Sequence, residues 1–143
     1  MNEYRHILLV TDFSEPAHLA ARRAQREARV HGARLTLLHV IEHFPVGMPT
    51  HWVAPEDQDP ATYYRGQAEK ELGELARELG SDDAGCEVIV TKSSAGHAIA
   101  EFAGQQSVDL IVAGIQGGWA IGMLGSTAMG IVHQTPCDVL LVR

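Results

Sequence analysis

The stretch GIQGGWAIGMLGSTA, residues 114 to 128, has glycine at five of its first twelve positions and closes on Ser126, Thr127 and Ala128. It follows an apolar run, DLIVAG, and leads into a segment with helical spacing. Glycines let backbone N–H groups approach an anion closely, and a helix N-terminus adds about half a unit of positive charge. Two hydroxyls at the corner can donate to the same oxygens, so the chemistry on offer is phosphate binding. The stretch is not a Walker loop, because that motif needs GxxxxGK and no lysine lies between Gly114 and the C-terminus. Nor is it a Rossmann fingerprint, which belongs after the first strand, where this chain has Thr11 and Asp12. Taken alone, the loop fits either a phosphate cradle or a structural turn.

Asp12 has no Arg or Lys beside it. A carboxylate so placed can accept hydrogen bonds from a ribose hydroxyl or an adenine amino group; the alternative is turn chemistry ahead of a helix cap at Ser14. No general base is placed to activate water and the one acidic pair that could hold Mg²⁺ is Asp12 with Glu42, should their strand tips converge, so no catalytic residue is assigned and at most slow hydrolysis of a bound phosphate ester is expected. His43, His51 and Trp52 lack a third ligand at fixed spacing, and no metal site is assigned.

The elements that must position these residues alternate. HILLV (6 to 10), RLTLLHVI (34 to 41), CEVIVT (86 to 91), DLIVAG (109 to 114) and DVLLV (138 to 142) are continuous apolar runs of strand length, as expected for strands buried on both faces. Between the first two, Ala17, Ala20, Ala21, Ala24 and Ala28 fall on one helical face, with Ser14 as N-cap, Pro16 in the first turn and Gly32 as the stop. A second helix fits Ala68, Leu72, Leu75, Ala76 and Leu79, with Glu69, Lys70, Glu71, Glu74 and Glu78 outside and Gly80 just past its end. A third, around Ala98 to Ala103, follows Gly96, and a fourth is expected from Ser126 to before Pro136. Alternation of this kind builds an α/β fold with a parallel sheet and helices on both faces. Residues 43 to 62 hold four prolines and no periodicity, which reads as a mobile or disordered segment, a lid for a partner or ligand, or inert packing.

A length of 143 residues suits a single domain spanning 1 to 143. The net charge of −7 comes with no Lys/Arg cluster, so nucleic acid is not expected as a partner. No apolar run approaches the roughly 20 residues needed to span a bilayer, and Asp12 interrupts the first run too early for a signal peptide, so a cytoplasmic location and no membrane partner are expected. Cys86 and Cys137 show no metal spacing and read as reduced, largely buried thiols.

VTDFSEPA after the first strand, LLHVIE in the second, DLIVAG in the fourth, GSTA after the glycine loop and CDVLLVR at the end resemble the universal stress protein family. The resemblance covers essentially the whole chain. It implies an adenine-nucleotide alpha hydrolase-like fold, a single open five-stranded parallel sheet in the order 3-2-1-4-5, and a homodimer joined through the C-terminal strand. It also implies that Cys86 and Cys137 lie at opposite edges, too far apart to pair. For the site, it implies phosphate contacts at Gly114, Gly117, Gly125, Ser126 and Thr127, adenine and ribose contacts at Thr11 and Asp12, and adenine against the backbone of Val40. The expected ligand is ATP or AMP, with Mg²⁺ entering only with nucleotide, and the expected role is a stress-response module whose protein partners are unknown. The family pattern places nine residues between its second and third glycines, whereas GWAIGML between Gly117 and Gly125 has seven; Gln116 and Gly118 stand where histidine and a basic residue are common. A shorter uncharged arch favours the alternative of a dimeric stress protein that binds no nucleotide and works through protein contacts.

Overall fold

Central strands of a parallel sheet meet helices on both faces, so the most continuously apolar runs belong in the middle. The computed structural model, which describes residues 3–42, 54–115 and 130–143, has that arrangement. Strands β1 (His6–Val10), β2 (Arg34–Glu42), β3 (Gly85–Thr91), β4 (Leu110–Gly114) and β5 (Asp138–Val142) pair in the order β3-β2-β1-β4-β5, all parallel. Every residue of β1 and β4 is buried. β2, between β1 and β3, is buried at all but its two terminal residues, and the other two apolar runs occupy the edges, where β3 exposes Cys86, Glu87 and Val90 and β5 is half covered. Burial on both faces was expected of them as well; it fails because the helices cover the sheet incompletely at its margins. Both thiols share that outcome, with Cys86 exposed and Cys137 partly so, and both are free. Four strand spacings separate their strands, about 19 Å, which excludes a disulfide.

Helix α1 (Glu15–His31) starts where the Ser14 hydroxyl accepts the Ala17 N–H at 3.3 Å and stops at Gly32, whose φ of 62° favours a residue without Cβ. Its five alanines are buried against the sheet. The opposite side carries Arg22, Arg26 and Arg29, all exposed, so the helix gathers cations that the linear reading did not treat as a cluster. Helix α2 (Pro60–Glu78) begins earlier than expected. The Asp59 carboxylate accepts the Thr62 N–H at 3.0 Å and Pro60 sits where its missing N–H costs little, so the last residues of the 43–62 segment are helical. Residues 43–53 lie outside the described residues. Glu71 departs from the expectation that it faces out, since its Oε2 is shut off from solvent.

Helix α3 (Ala95–Gln105) is capped by Ser94, which puts Gly96 inside the first turn and not ahead of it. Residues 130–134 are helical (α4), and the chain leaves that helix before Pro136 as expected. Each face of the sheet has its own core. Leu9, Leu37, Ile41 and Val112 pack with α1 and α2, whereas Leu8, Leu38, Val40 and Ile111 pack with Ile99 of α3 and Ile131 of α4. Among the described residues, no helix is long and apolar enough to cross a membrane.

At the amino ends of the strands, Asp109 Oδ2 accepts the backbone N–H groups of Arg5 and His6 at 2.7 and 2.9 Å, which holds its carboxyl below the usual carboxylate range. His6, 4% exposed, lies with Nε2 2.7 Å from the Thr36 hydroxyl, and burial pushes its pKa below the ordinary 6.5. The folded state therefore prefers the neutral ring. Its contribution to stability is complete above about pH 6.5 and is lost as pH falls through the folded value. Melting temperature is expected to drop as pH is lowered from 6.5 towards roughly 5, and to drop less steeply in His6→Gln. Equal slopes in thermal melts of the two proteins would remove His6 from the account.

A broad open cleft of about 1060 Å³ lies at this same end, between Tyr4, His31, Asp109 and Asp138. Of the candidate site residues that are described, Thr11, Asp12, Val40 and Gly114, none lines it.

Candidate functional site

In an open parallel sheet the order of strands reverses at one point, and the loops leaving the two strands there diverge to opposite faces. Here that point lies between β1 and β4. From β1 the chain runs through α1 to β2 on one side, and from β4 it runs on to β5 on the other.

The tip of β1 is built by short-range hydrogen bonds. Thr11 is buried, donates its N–H to the Leu38 carbonyl at 3.0 Å, and accepts the Phe13 N–H on Oγ1 at 2.9 Å. Asp12 Oδ1 accepts both the Ser14 N–H at 3.0 Å and the Ser14 hydroxyl at 2.5 Å. The turn chemistry considered for Asp12 is therefore present, and it engages only one of the two carboxylate oxygens. Phe13 adopts φ 65°, a left-handed conformation that a bulky side chain rarely takes.

The register brings the other candidates alongside. Val10 pairs with Leu38 of β2 and with Ala113 of β4, so the next residues along put Gly114 beside Thr11 and Val40 close to Asp12. The Val40 side chain points into the α3 core, and its backbone, still paired with Ile89 of β3, lies just past the last registered pair of β1 and β2. Gly114 has a packing reason to be glycine. A Cβ there would lie 2.6 Å from the Pro16 carbonyl oxygen and 3.0 Å from the Ala17 nitrogen, inside the first turn of α1. The Ile115 N–H then donates to the Val142 carbonyl at 2.7 Å, which carries the β4–β5 ladder to the rim.

Thr11, Asp12, Val40 and Gly114 thus stand on three neighbouring strand ends. Gly117, Gly125, Ser126 and Thr127 lie outside the described residues.

Sequence reasoning passed over His39 and Phe13. His39, 3% exposed, approaches the Thr11 carbonyl oxygen with Nδ1 at 2.8 Å, and its ring meets that of Phe13 at 4.7 Å between centroids. Burial pushes its pKa down, against the opposing pull of the Thr11 carbonyl and the charges of Asp12 and Glu71. The available signal was a lone histidine inside the apolar run LLHVI. A buried polar group must find partners, and this one could be found only once its neighbours were known.

An open α/β sheet in the order 3-2-1-4-5, with polar and glycine residues gathered at its switch point, defines a doubly wound protein, the class in which ligands bind beyond the carboxyl ends of the strands at that point. The chain belongs to the universal stress protein family, whose model matches residues 3–143. A universal stress protein from Thermus aquaticus is 35% identical over 98% of this chain and 99% of its own. Among solved structures, a universal stress protein in complex with cAMP superimposes with a TM-score of 0.69 at 22% identity, covering 99% of both chains. That of Archaeoglobus fulgidus in complex with dAMP superimposes with a TM-score of 0.66 at 18% identity, covering all of both.

Proposed function

We propose that this protein is an adenine-nucleotide-binding stress-response module that takes ATP or AMP at the ends of β2, β1 and β4. The reading is carried by one observation, the convergence of Thr11, Asp12, Val40 and Gly114 at the point where strand order reverses. The donor set suits a nucleoside. The Asp12 carboxylate has acceptor capacity beyond the turn for ribose hydroxyls, the backbone at Val40 offers an edge for adenine, and the Gly125-Ser126-Thr127 corner is the candidate for phosphates. The family members crystallised with cAMP and dAMP support a ligand of this class. Magnesium would enter with the phosphates only. The half-covered apolar residues Val139 to Val142 on edge strand β5 support a homodimer formed through that strand. Bound nucleotide would then alter the glycine loop and, through it, contacts with protein partners in the cytoplasm.

Asp12→Asn keeps the turn to Ser14 and removes the charge. ATP and AMP affinity, measured by calorimetry with magnesium present, is expected to fall about tenfold, the roughly 1.4 kcal/mol of one charge-assisted hydrogen bond. Native protein that releases no nucleotide on denaturation, and that gives no heat with either ligand at millimolar concentration, would sink the proposal. The seven-residue interval after Gly117 supports the second reading, a dimeric module acting through protein contacts alone, and the same absence of binding would favour it.

A further inference from the structure

We propose that His39 is a positioning residue that clamps the tip of β1 in the turn that presents Asp12. The ring reaches the residues on both sides of that carboxylate. Nδ1 lies 2.8 Å from the carbonyl oxygen of Thr11; a carbonyl only accepts, so Nδ1 carries the proton and, in the neutral ring, Nε2 is left as an acceptor. On the other side of Asp12 the ring packs on Phe13, at 4.7 Å and a tilt of 37°.

Each contact falls where the backbone needs support. The last registered pair of β1 and β2 is Val10 with Leu38, so the ladder gives out just as the His39 side chain takes hold of the next carbonyl. Phe13 sits at φ 65°, where a bulky residue stays only if its surroundings hold it there. The ring of His39 supplies part of that hold. His39 shares with Leu37 and Ile41 the face covered by α1 and α2, so it approaches the tip from that side of the sheet.

The charged groups facing the ring are Asp12 on the β1 tip and Glu71 on α2; β3 brings Val88 level with it and adds no charge. Burial keeps the ring neutral despite both carboxylates. Acid strong enough to protonate it would turn Nε2 from acceptor to donor and place a cation between two carboxylates, one of which is Asp12. The tip is thereby sensitive to pH through a group that touches no ligand.

The effect on ligand affinity rests on the nucleotide reading above, whereas the clamp itself does not. His39→Leu keeps an apolar side chain at the site and removes the N–H; His39→Gln restores a donor. In native-state hydrogen exchange, the amides of Phe13 and Ser14 are expected to exchange about tenfold faster in His39→Leu, with those of Leu8 and Leu9 unchanged, and His39→Gln is expected to recover part of the difference. AMP affinity is expected to weaken about tenfold in His39→Leu. Nitrogen-15 NMR of the wild type is expected to show the Nδ1-protonated tautomer.

Unchanged exchange at Phe13 and Ser14 in a folded His39→Leu would overturn the proposal, as would an Nε2-protonated tautomer in the wild type. If His39→Leu does not fold, His39→Gln and the tautomer decide. If the wild type binds no AMP, the nucleotide reading fails alone and the exchange measurement still decides the clamp.

Discussion

Gly114→Val is expected to lower stability by about 2–3 kcal/mol and the melting temperature by roughly 5–10 °C, and to abolish whatever binding the crevice supports. A Cβ at this position would stand 2.6 and 2.7 Å from the oxygen and carbon of the Pro16 carbonyl and 3.0 Å from the Ala17 nitrogen. All three are backbone atoms, so no side-chain rotation relieves the overlap. Either β4 shifts away from β1 or the first turn of α1 retreats. If the turn moves, it takes Ser14 with it, and Asp12 loses both hydrogen bonds that set its direction. Melts and calorimetry on the same variant test both parts. A protein that melts within about 2 °C of wild type would show that the first turn of α1 yields cheaply.

Gly96→Ala is expected to destabilise by about 1–3 kcal/mol, opposite in sign to the usual effect of replacing a helical glycine by alanine. Gly96 faces Gly130 where α3 crosses α4, and a Cβ on it would lie 2.9 Å from the Gly130 Cα and 3.2 Å from its carbonyl carbon. The reciprocal contact is looser, 3.2 Å from a Gly130 Cβ to the Gly96 Cα, so Gly130→Ala should cost less. Gly73 of α2 and Gly104 of α3 have nothing within 4 Å of an added Cβ; alanine there should gain about 0.5–1 kcal/mol by helix propensity alone. Thermal melts of the four variants give an order. Gly96→Ala melting as high as Gly73→Ala would mean that the crossing relaxes freely.

The parallel α/β sheet was legible because apolar runs alternate with capped, periodic segments, its strand order because the end motifs resemble one family, and both ends of α1 and the last turns of α2 and α4 because their start and stop signals are local. Ser14, Gly32 and Gly80 mark helix ends by local chemistry, and local chemistry is what a linear reading sees. What it missed depends on neighbours far along the chain. CEVIVT looks as buried as HILLV, yet Cys86 and Val90 are exposed because β3 ends the sheet. Pro60 reads as loop punctuation until Asp59 is recognised as the cap in front of it. Gly114 belonged to the candidate phosphate loop, and its contact with Pro16 could not be foreseen from a position nearly a hundred residues away. His39 was hidden beside Val40, since its value lies in a carbonyl and a ring supplied by another strand.

The pairing of β1 has a consequence for how the molecule comes into being. Its partner on one side, β2, follows directly after α1, whereas its partner on the other, β4, joins Ile7 to Leu110, roughly a hundred residues apart. As the chain leaves the ribosome, β1, β2 and the helix between them can assemble while β4 is still untranslated. One wall of the crevice then stands long before the other exists. On the proposed function, an incomplete chain has nowhere to hold a nucleotide, so occupancy of the crevice would report a finished molecule before it reported anything about the cell.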